Sequence, residues 1–286
     1  MATEMTIPAG FEEVFVDRAE RVRVGVRDHV ALVSFDRADK RNALDGDQFS
    51  AISAAGEYVK TLTGVRAVVV HGVGRSFCAG LDFSGFASMM GDRTDMTESD
   101  GSPGRLTKSG LTHLGQQVCW VWQEIEVPVI AAMHGHALGG GLQIALGADI
   151  RIAHPDTQLS VREVHWGIIP DMTGTFILDR LVRPDIAREL TYTARVLLAS
   201  EGASLGLVTR LDDAPLEAAL AMAADIAARN PEAVRAAKRL LSASFIEGAG
   251  EQFAAERREV FALIGTPNQV EVITANLENR TPVFPA

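Results

Sequence analysis

The middle of the chain contains Val129-Ile-Ala-Ala-Met-His-Gly-His-Ala-Leu-Gly-Gly-Gly-Leu-Gln-Ile-Ala-Leu-Gly-Ala-Asp149. Its first residues form an apolar run that is too short to span a membrane and is typical of a buried strand. After a turn through residues 134–136, three glycines precede Leu142, Ala145 and Leu146, which recur with helical spacing. The segment therefore predicts a strand, a turn and a helix that begins at the glycines.

The glycines Gly139, Gly140 and Gly141 indicate a ligand site at the start of this helix. Glycine lets a ligand approach the backbone closely. The first N–H groups of a helix have no partner within the helix and lie at the positive end of its dipole. They can bind an anion, or an oxygen that becomes negative during a reaction. The alternative is a tightly packed strand–helix junction without a ligand.

The N-terminal part of the chain predicts an α/β sheet. Residues 22–35 alternate in polarity as two paired strands do. A helix is predicted from Asp45 to about Leu62, with Asp45 and Gln48 as a capping box. The β-branched run 65–70 is typical of a buried parallel strand. Strand, helix and strand in this order are the pattern of an α/β fold.

The C-terminal third is rich in alanine and predicts a helical unit. Asn230 and Pro231 are typical of a cap and a first helical residue. Residues 84–110, in contrast, carry Gly, Ser, Asp, Met and Thr without periodicity. A long segment of this kind either covers a ligand or is a surface loop. Trp166 and the methionines of this segment are candidates for an acyl pocket or for ordinary packing.

Composition excludes several classes of protein. The 286 residues carry a net charge of −10, which argues against a nucleic-acid binder because such proteins have a basic face. No apolar run approaches the length of a membrane span, and no signal peptide is recognisable, so we expect a cytoplasmic protein with no membrane partner. The two cysteines, Cys78 and Cys119, do not form a disulfide framework. His134 and His136 lack a third metal donor, so no metal site is expected.

Four segments together resemble the crotonase superfamily of enoyl-CoA hydratases and isomerases. They are Asp36-Arg-Ala-Asp-Lys-Arg-Asn-Ala-Leu44, Arg75-Ser-Phe-Cys-Ala-Gly-Leu-Asp82, Pro128-Val-Ile-Ala-Ala-Met-His-Gly-His-Ala-Leu-Gly-Gly-Gly141 and Gly167-Ile-Ile-Pro170. The resemblance implies a spiral of ββα units over residues 1–200 and a helical C-terminal trimerisation region over residues 201–286. It also implies a coenzyme A thioester as substrate, no further cofactor, and a homotrimer or a dimer of trimers.

The same resemblance assigns the binding residues. The family's oxyanion hole is made by two backbone N–H groups, which here belong to Leu81 and Gly140. The loop of residues 37–44 resembles the family's binding loop for coenzyme A. The substrate-binding residues that it implies are Lys40, Arg41, Ala43 and Ala79. The alternative for the two cations is that they are solvated loop charges.

One departure from the family pattern bears on the reaction. Family hydratases use two carboxylates, whereas the corresponding positions here are Gln143 and Glu163. An amide cannot exchange protons near neutral pH, which argues against ordinary hydration. Asp171 lies where many hydratases have glycine, and its spacing from Glu163 resembles the dienoyl-CoA isomerase branch. We therefore predict an isomerase in which Glu163 is the main acid/base, Asp171 its partner and Gln143 an orienting group.

Other interpretations of these residues stay open at this point. Glu163 alone can move a double bond from the 3 to the 2 position of the acyl chain. Asp171 is also suited to cap a helix that begins near Met172, and Glu163 and Gln143 to be ordinary surface and first-turn residues. At the level of the whole protein, the alternatives are an unusual hydratase that uses Glu163 with a water held by Gln143, and an acyl-CoA-binding protein without turnover.

Overall fold

The computed structural model describes residues 8–82, 106–107 and 111–284. Within these residues the strands are β1 (Glu12–Val16), β2 (Val22–Arg27), β3 (Val30–Phe35), β4 (Ala67–Gly72), β5 (Val129–Met133), β6 (His136–Leu138), β7 (Ile150–Ala153), β8 (Gln158–Ser160), β9 (Leu197–Leu198) and β10 (Arg210–Leu211). The α-helices are α1 (Gly46–Thr61), α2 (Leu114–Glu124), α3 (Gly140–Leu146), α4 (Gly174–Leu181), α5 (Pro184–Thr193), α6 (Ala199–Leu205), α7 (Pro215–Ala227), α8 (Pro231–Ile246), α9 (Ala249–Leu263) and α10 (Pro267–Leu277).

A seven-stranded sheet with the order β1-β2-β3-β4-β5-β7-β10 forms the centre of the molecule. Its first three strands are antiparallel, and β3, β4, β5, β7 and β10 are parallel. The β2–β3 hairpin turns at Asp28 and His29, which both have positive φ. A smaller sheet has the order β6-β8-β9. The predicted α/β class, the hairpin and the buried parallel strand are confirmed.

Alternate residues of the central strands pack on opposite layers of helices, as the two-residue period of a strand requires. In β3, Ala31 and Val33 face the core shared with α1 and α2, whereas Leu32 belongs to the other face. That face is covered by Ala219 and Ala223 of α7. The small side chains of α7 let the helix lie close to the sheet.

The candidate site lies where the parallel strands end. Because β3, β4 and β5 are parallel neighbours, the loops that follow them meet at one edge of the sheet. The loops after β3 and β4 contain residues 36–45 and 73–82, and β5 leads through β6 to the glycines. Helix α9, from the C-terminal third of the chain, reaches this region, since Phe253 packs edge-on against Trp120 of α2 and Phe176 of α4.

Some local predictions are wrong, for physical reasons. Asp45 caps α1 by accepting from the Gln48 N–H, but the Gln48 side chain is fully buried and makes no reciprocal bond, so there is no capping box there. His136, predicted in a turn, lies in strand β6 because its segment pairs with β8. Strand β1, which pairs with β2 at the sheet edge, is not predicted by the sequence pattern. The segment predicted to cover a ligand, 84–110, lies almost wholly outside the described residues. The predicted division into a ββα region over residues 1–200 and a helical region over residues 201–286 stays a prediction.

Candidate active site

A cavity of about 600 Å³ opens at this edge of the sheet. Of the nine residues to which the sequence assigns a binding or catalytic role, eight line it, namely Lys40, Arg41, Ala43, Ala79, Leu81, Gly140, Glu163 and Asp171. The ninth, Gln143, is buried and bonds to Glu163. The fold therefore brings together residues that are up to 131 positions apart, from Lys40 to Asp171.

The loop after β3 is held by its own polar residues. Arg37 bonds to the Asp82 carboxylate at 2.7 Å and pairs with Asp45 at 2.9 Å, so its charge is used inside the protein. Asn42 is fully buried; its side-chain oxygen accepts from the Arg37 N–H, and its amide nitrogen donates to the carbonyls of Val73 and Ser76. These bonds fix the loop.

Lys40 and Arg41, in contrast, are exposed at the mouth of the cavity. Neither makes an ion pair with any residue that the structure describes. Both therefore remain available for an anionic ligand, whereas Arg37, which the charge pattern of the loop does not distinguish from them, is already neutralised.

The 41–44 segment and the 79–82 segment run side by side. The Ala79 N–H donates to the Arg41 carbonyl at 3.0 Å, and the Leu44 N–H donates to the Gly80 carbonyl at 2.8 Å. The Asp82 N–H donates back to the Leu44 carbonyl at 2.8 Å. A ligand that lies along one of these segments therefore also meets the other.

The glycine triplet packs directly on the chain that precedes Leu81. A Cβ added to Gly141 would lie 2.3 Å from the Cys78 carbonyl oxygen, a distance that no side chain tolerates. Gly80 has a φ of +91°, and a Cβ there would lie 2.6 Å from the Leu138 carbonyl oxygen. The tight packing that the junction interpretation predicts is thus present at Gly141, and Gly80 shows the same packing, since the lack of a side chain at both residues lets the two segments touch.

Two N–H groups at this junction have no partner within the described residues: those of Leu81 and Gly140. Leu81 lies between the bonded Gly80 carbonyl and the bonded Asp82 N–H, and Gly140 is the first residue of α3 after its cap, Gly139. Both residues line the cavity. Unpartnered N–H groups at a helix start and on an adjacent extended segment can stabilise a negative oxygen.

Glu163 is held by the Gln143 amide. It lies in a short 3₁₀ helix, Glu163–Trp166, and is 5% exposed. Its Oε1 accepts a 2.5 Å hydrogen bond from Gln143 Nε2, while its Oε2 has no partner. Burial raises the pKa of Glu163 to about 8, and the negative charge of Asp171 contributes to the rise. The group is therefore a buried acid with one free oxygen and a proton affinity suited to exchange near neutral pH.

Gln143 uses both ends of its amide inside the protein. Besides donating to Glu163, it accepts a 3.0 Å bond from the Met172 N–H through Oε1. It lies outside the cavity lining formed by the described residues. Gln143 is thus hydrogen-bonded both to Glu163 and to the turn that carries Asp171. These two bonds connect the positions of the two acids.

Asp171 lines the cavity and does not cap the following helix. That helix, α4, begins at Gly174 with Thr173 as its cap residue, so the capping interpretation of Asp171 is wrong. Burial raises the pKa of Asp171 to about 7, and the charge of Glu256 adds to the rise. Two carboxyl groups with pKa values raised into the neutral range therefore share one cavity.

Glu256 is the residue of this region that the sequence analysis missed. It is 2% exposed on α9 and accepts four hydrogen bonds from α2 and from the start of α4. A signal was present, because Phe253, Glu256 and Val260 follow helical spacing and all face the core.

The described residues contain neither a candidate membrane span nor a candidate metal cluster. No helix there is long and apolar enough to cross a membrane. In the same part of the chain, no cluster of three or more His, Cys, Asp or Glu side chains is arranged to bind a metal ion.

Comparisons with known proteins agree with this geometry. A sequence profile described as enoyl-CoA hydratase/isomerase matches residues 25–286. The chain is 33% identical over 246 residues to a probable enoyl-CoA hydratase of Bacillus subtilis, covering 85% of this chain and 90% of that protein. It is 30% identical over 276 residues to the mitochondrial Delta(3,5)-Delta(2,4)-dienoyl-CoA isomerase of Mus musculus, covering 94% of this chain and 83% of that protein.

Solved structures give the same result. The enoyl-CoA hydratase/isomerase of Pseudoalteromonas atlantica superimposes with a TM-score of 0.80 at 25% identity, covering 93% of this chain and 100% of that one. An enoyl-CoA hydratase/isomerase of Mycobacterium paratuberculosis has the same fold, with a TM-score of 0.78. The predicted crotonase fold is therefore confirmed.

Proposed function

The chain belongs to the enoyl-CoA hydratase/isomerase family, and from this premise we propose that it moves a carbon–carbon double bond along the acyl chain of a coenzyme A thioester. The observation that carries the proposal is the pair Glu163 and Asp171 in one cavity with the unpartnered N–H groups of Leu81 and Gly140. The proposed reaction uses no metal ion and no redox cofactor.

In the first step, the Glu163 carboxylate removes a proton from the carbon beside the thioester carbonyl. The electron pair of the broken C–H bond forms a carbon–carbon double bond, and the carbonyl π pair moves to oxygen. The resulting enolate oxygen accepts hydrogen bonds from the N–H groups of Leu81 and Gly140. Each such donor is worth about 3 kcal/mol in a water-excluded site.

In the second step, the Asp171 carboxyl group donates its proton to the far carbon of the conjugated system. The enolate electrons return, the carbonyl reforms, and the double bond ends in its new position. Glu163 has gained one proton and Asp171 has lost one, so exchange with solvent resets the pair. Two acids with raised pKa suit this task because one must be charged while the other is protonated. Since the pKa of Asp171, about 7, lies below that of Glu163, about 8, the form with charged Glu163 and protonated Asp171 is the minor of the two singly charged forms of the pair.

The rest of the cavity is suited to coenzyme A. Lys40 and Arg41 provide free positive charge for its phosphates, which a protein of net charge −10 needs locally. Ala43 and Ala79 line the same cavity, and we propose that the thiol arm passes along them. We also propose that the chain forms a homotrimer or a dimer of trimers. Leu240 and Leu241 of α8 are 77% and 79% exposed, which favours self-association.

Hydration is the second candidate, favoured by the probable enoyl-CoA hydratase from Bacillus subtilis among the relatives. It needs a titratable group to act with Glu163 on water. Gln143 cannot titrate, and its amide already bonds to Glu163 and the Met172 N–H. For hydration, Asp171 is then the second titratable group, in the role that Gln143 cannot fill.

The test is incubation of the purified protein with 2-enoyl, 3-enoyl and 3,5-dienoyl coenzyme A thioesters, followed by product analysis. We expect conversion of the 3-enoyl or 3,5-dienoyl substrate to its shifted isomer. Hydration of the 2-enoyl substrate as the sole reaction, unaffected by Glu163→Gln, would refute the assignment. Tight binding of all three thioesters without any product would indicate a binding protein.

A further inference from the structure

Arg162 is a cation in the cavity lining that the proposed reaction does not use. It lies between β8 and the 3₁₀ helix that begins at Glu163, and it lines the same cavity as Glu163 and Asp171. Its side chain is partly buried. Because arginine stays protonated in proteins, this part of the cavity carries a fixed positive charge. Such a charge attracts an anion.

No carboxylate of the described residues neutralises Arg162. It forms no ion pair within residues 8–82, 106–107 and 111–284, in contrast to Arg37, which pairs with Asp45 and Asp82. Burial lowers the pKa of Arg162, and no carboxylate in this part of the chain acts against that shift. His165 lies nearby, but burial and the Arg162 charge lower its pKa, so it is neutral near pH 7. The charge of Arg162 is therefore available for a ligand.

One end of the Arg162 guanidinium is fixed by hydrogen bonding. Its Nη1 donates to the Ala194 carbonyl at 3.2 Å, and the same carbonyl accepts from Ser160 Oγ at 2.9 Å. Ala194 is the C-terminal cap of α5, where the helix dipole favours a cation. Nε and Nη2 make no hydrogen bond within the described residues, and neither belongs to the buried polar atoms that lack a partner. This edge is therefore accessible, and it has the two parallel donors that bind a carboxylate in bidentate fashion.

The segments around the cavity lie side by side like the strands of a small sheet. Residues 41–44 pair with residues 79–82, Cys78 bridges to Ala137 of β6, and β6 pairs with β8. Neighbouring strands are about 4.8 Å apart, so residues 41–44 and the end of β8 are about 14 Å apart. Arg162 lies just after β8.

This order puts the proposed oxyanion site between two positive groups. The N–H groups of Leu81 and Gly140 belong to the two inner segments, with Arg41 on one outer segment and Arg162 after the other. A thioester that is bound at the centre, with its nucleotide on the side of Arg41, has its acyl group on the side of Arg162. Trp166, in the 3₁₀ helix that follows Arg162, also lines the cavity and offers an apolar surface to the acyl carbons.

Arg162 and Glu163 start from the same junction and then separate. A Cβ added to Gly139 would lie 3.5 Å from Arg162 Cβ and 3.2 Å from Glu163 Oε1, so both side chains lie close to the glycines. Their ends differ, since Glu163 bonds to Gln143 whereas Arg162 bonds to Ala194. An acyl group placed beside Glu163 therefore has Arg162 within a few carbons of its reacting end.

We propose that Arg162 binds a carboxylate carried by the acyl chain, so that the substrate is the coenzyme A thioester of a short unsaturated dicarboxylic acid. The inference rests on the proposed function, since it names the substrate class of the same site, but the binding of the carboxylate requires no turnover. The Nε–Nη2 edge pairs with the carboxylate, and the anchored Nη1 keeps the guanidinium in place.

The first test compares two saturated thioesters, which bind but cannot isomerise. One is the hexanedioyl coenzyme A thioester, and the other is its terminal amide, which has a similar shape and no charge. We expect the original protein to bind the carboxylate about tenfold more tightly than the amide in isothermal titration calorimetry. Arg162→Met should lose this preference, and the exposed Arg229→Met, as the control, should keep it. Equal affinities in the original protein, or an equal preference in Arg162→Met, overturn the proposal.

Two further variants keep the test valid if Arg162→Met folds poorly. Arg162→Lys retains the charge without the two-donor edge and should keep part of the preference. Lys40→Met removes an exposed cation at the mouth of the cavity, and it should weaken the binding of both thioesters alike. A preference that disappears in Lys40→Met would place the carboxylate at the mouth and overturn the proposal.

Turnover separates this inference from the proposed function. The 3-hexenedioyl thioester should isomerise to its 2-enoyl form with a kcat/KM about tenfold above that of its terminal amide. A carboxylate preference in binding without any isomerisation would leave the role of Arg162 in place and refute the proposed function. Isomerisation of the amide, together with equal affinities for the two saturated thioesters, would do the reverse.

Discussion

The two sides of the cavity are built by different means. On one side, the N–H groups of Leu81 and Gly140 are placed by backbone pairing and by the close contact at Gly80 and Gly141, and the Leu81 side chain contributes nothing to them. On the other side are the side chains of Glu163 and Asp171, whose surroundings include Gln143 and Glu256. In the proposed reaction, the backbone side stabilises the negative charge and the side-chain side moves the proton. A reaction can therefore change by single substitutions while the fold stays the same.

The largest expected effect is on the side-chain side. Glu163→Gln removes the proposed base and should lower kcat for isomerisation by about 10³-fold or more, with little change in KM. The exposed Glu259→Gln serves as the control in the same product assay. A Glu163→Gln protein within about tenfold of the original activity would contradict the assignment.

The same variant has a stability signature. Burial raises the pKa of Glu163 from 4.5 to about 8, so the folded state binds this proton more tightly than the unfolded state. The stability that this group contributes is complete below pH 4.5 and is lost as the pH rises through about 8. Urea unfolding across this range should therefore show a smaller loss of stability with pH in Glu163→Gln than in the original protein.

The next largest loss of activity is expected from a substitution that displaces the backbone N–H groups. Gly141→Ala places a Cβ 2.3 Å from the Cys78 carbonyl and must push α3 away from the Leu81 segment. We expect kcat/KM to fall by about 10²-fold, as when one oxyanion donor is lost. Gly64→Ala is the control, since its φ is also unfavourable at +88° but nothing lies within 4 Å. Equal activity losses in both variants would show that strain, and not the N–H geometry, is responsible.

Asp171→Asn distinguishes a two-acid from a one-acid reaction. With a 3,5-dienoyl substrate, we expect a loss of about 10²-fold because the proton donor to the far carbon is missing. In the original protein, kcat/KM should follow a narrow bell in which the pair titrates with apparent pKa values near 7 and 8. In Asp171→Asn the bell should reduce to one limb that rises with pH as Glu163 ionises. An unchanged bell would exclude Asp171 from the proton transfer.

The smallest expected effect is an increase in hydration activity. Gln143→Glu restores the family's second carboxylate beside Glu163, where the Gln143 amide now bonds at 2.5 Å. Hydration of a 2-enoyl thioester should rise by about tenfold, because a second titratable group can then act on water. Gln123→Glu, at a partly buried glutamine that donates to the Gly147 carbonyl, is the matched control. No gain would remove the reason for preferring isomerisation to hydration.

The sequence predicts an element of this fold where its local residue pattern and its packing against other elements favour the same structure. The apolar run at Val129 and the glycines after it specify a buried strand and a helix start, and both are present. Gln48 shows the limit, because its spacing from Asp45 fits a capping box, yet burial takes its side chain away from the helix end. Strand β1 was missed since an edge strand that pairs on one side needs little apolar patterning.

For the site, residue types were easier to predict than their partners. The resemblance to the family named Lys40, Glu163 and Asp171, and the cavity lining includes all three. The partners of Gln143 and the position of Glu256 depend on which helices meet, and no local pattern encodes that contact. Glu256 carries the weaker signal of a charge on the apolar face of α9.

The state of the two thiols has a chemical consequence. Cys78 precedes Ala79 and the Leu81 segment, yet it is fully buried, donates to the Asn42 carbonyl, and has its pKa raised by burial to about 12. Cys119 is equally buried. Conjugated thioesters are soft electrophiles that alkylate thiolates, and thiolates are what these cysteines do not provide. The proposed isomerisation would therefore release a reactive product that alkylates neither thiol.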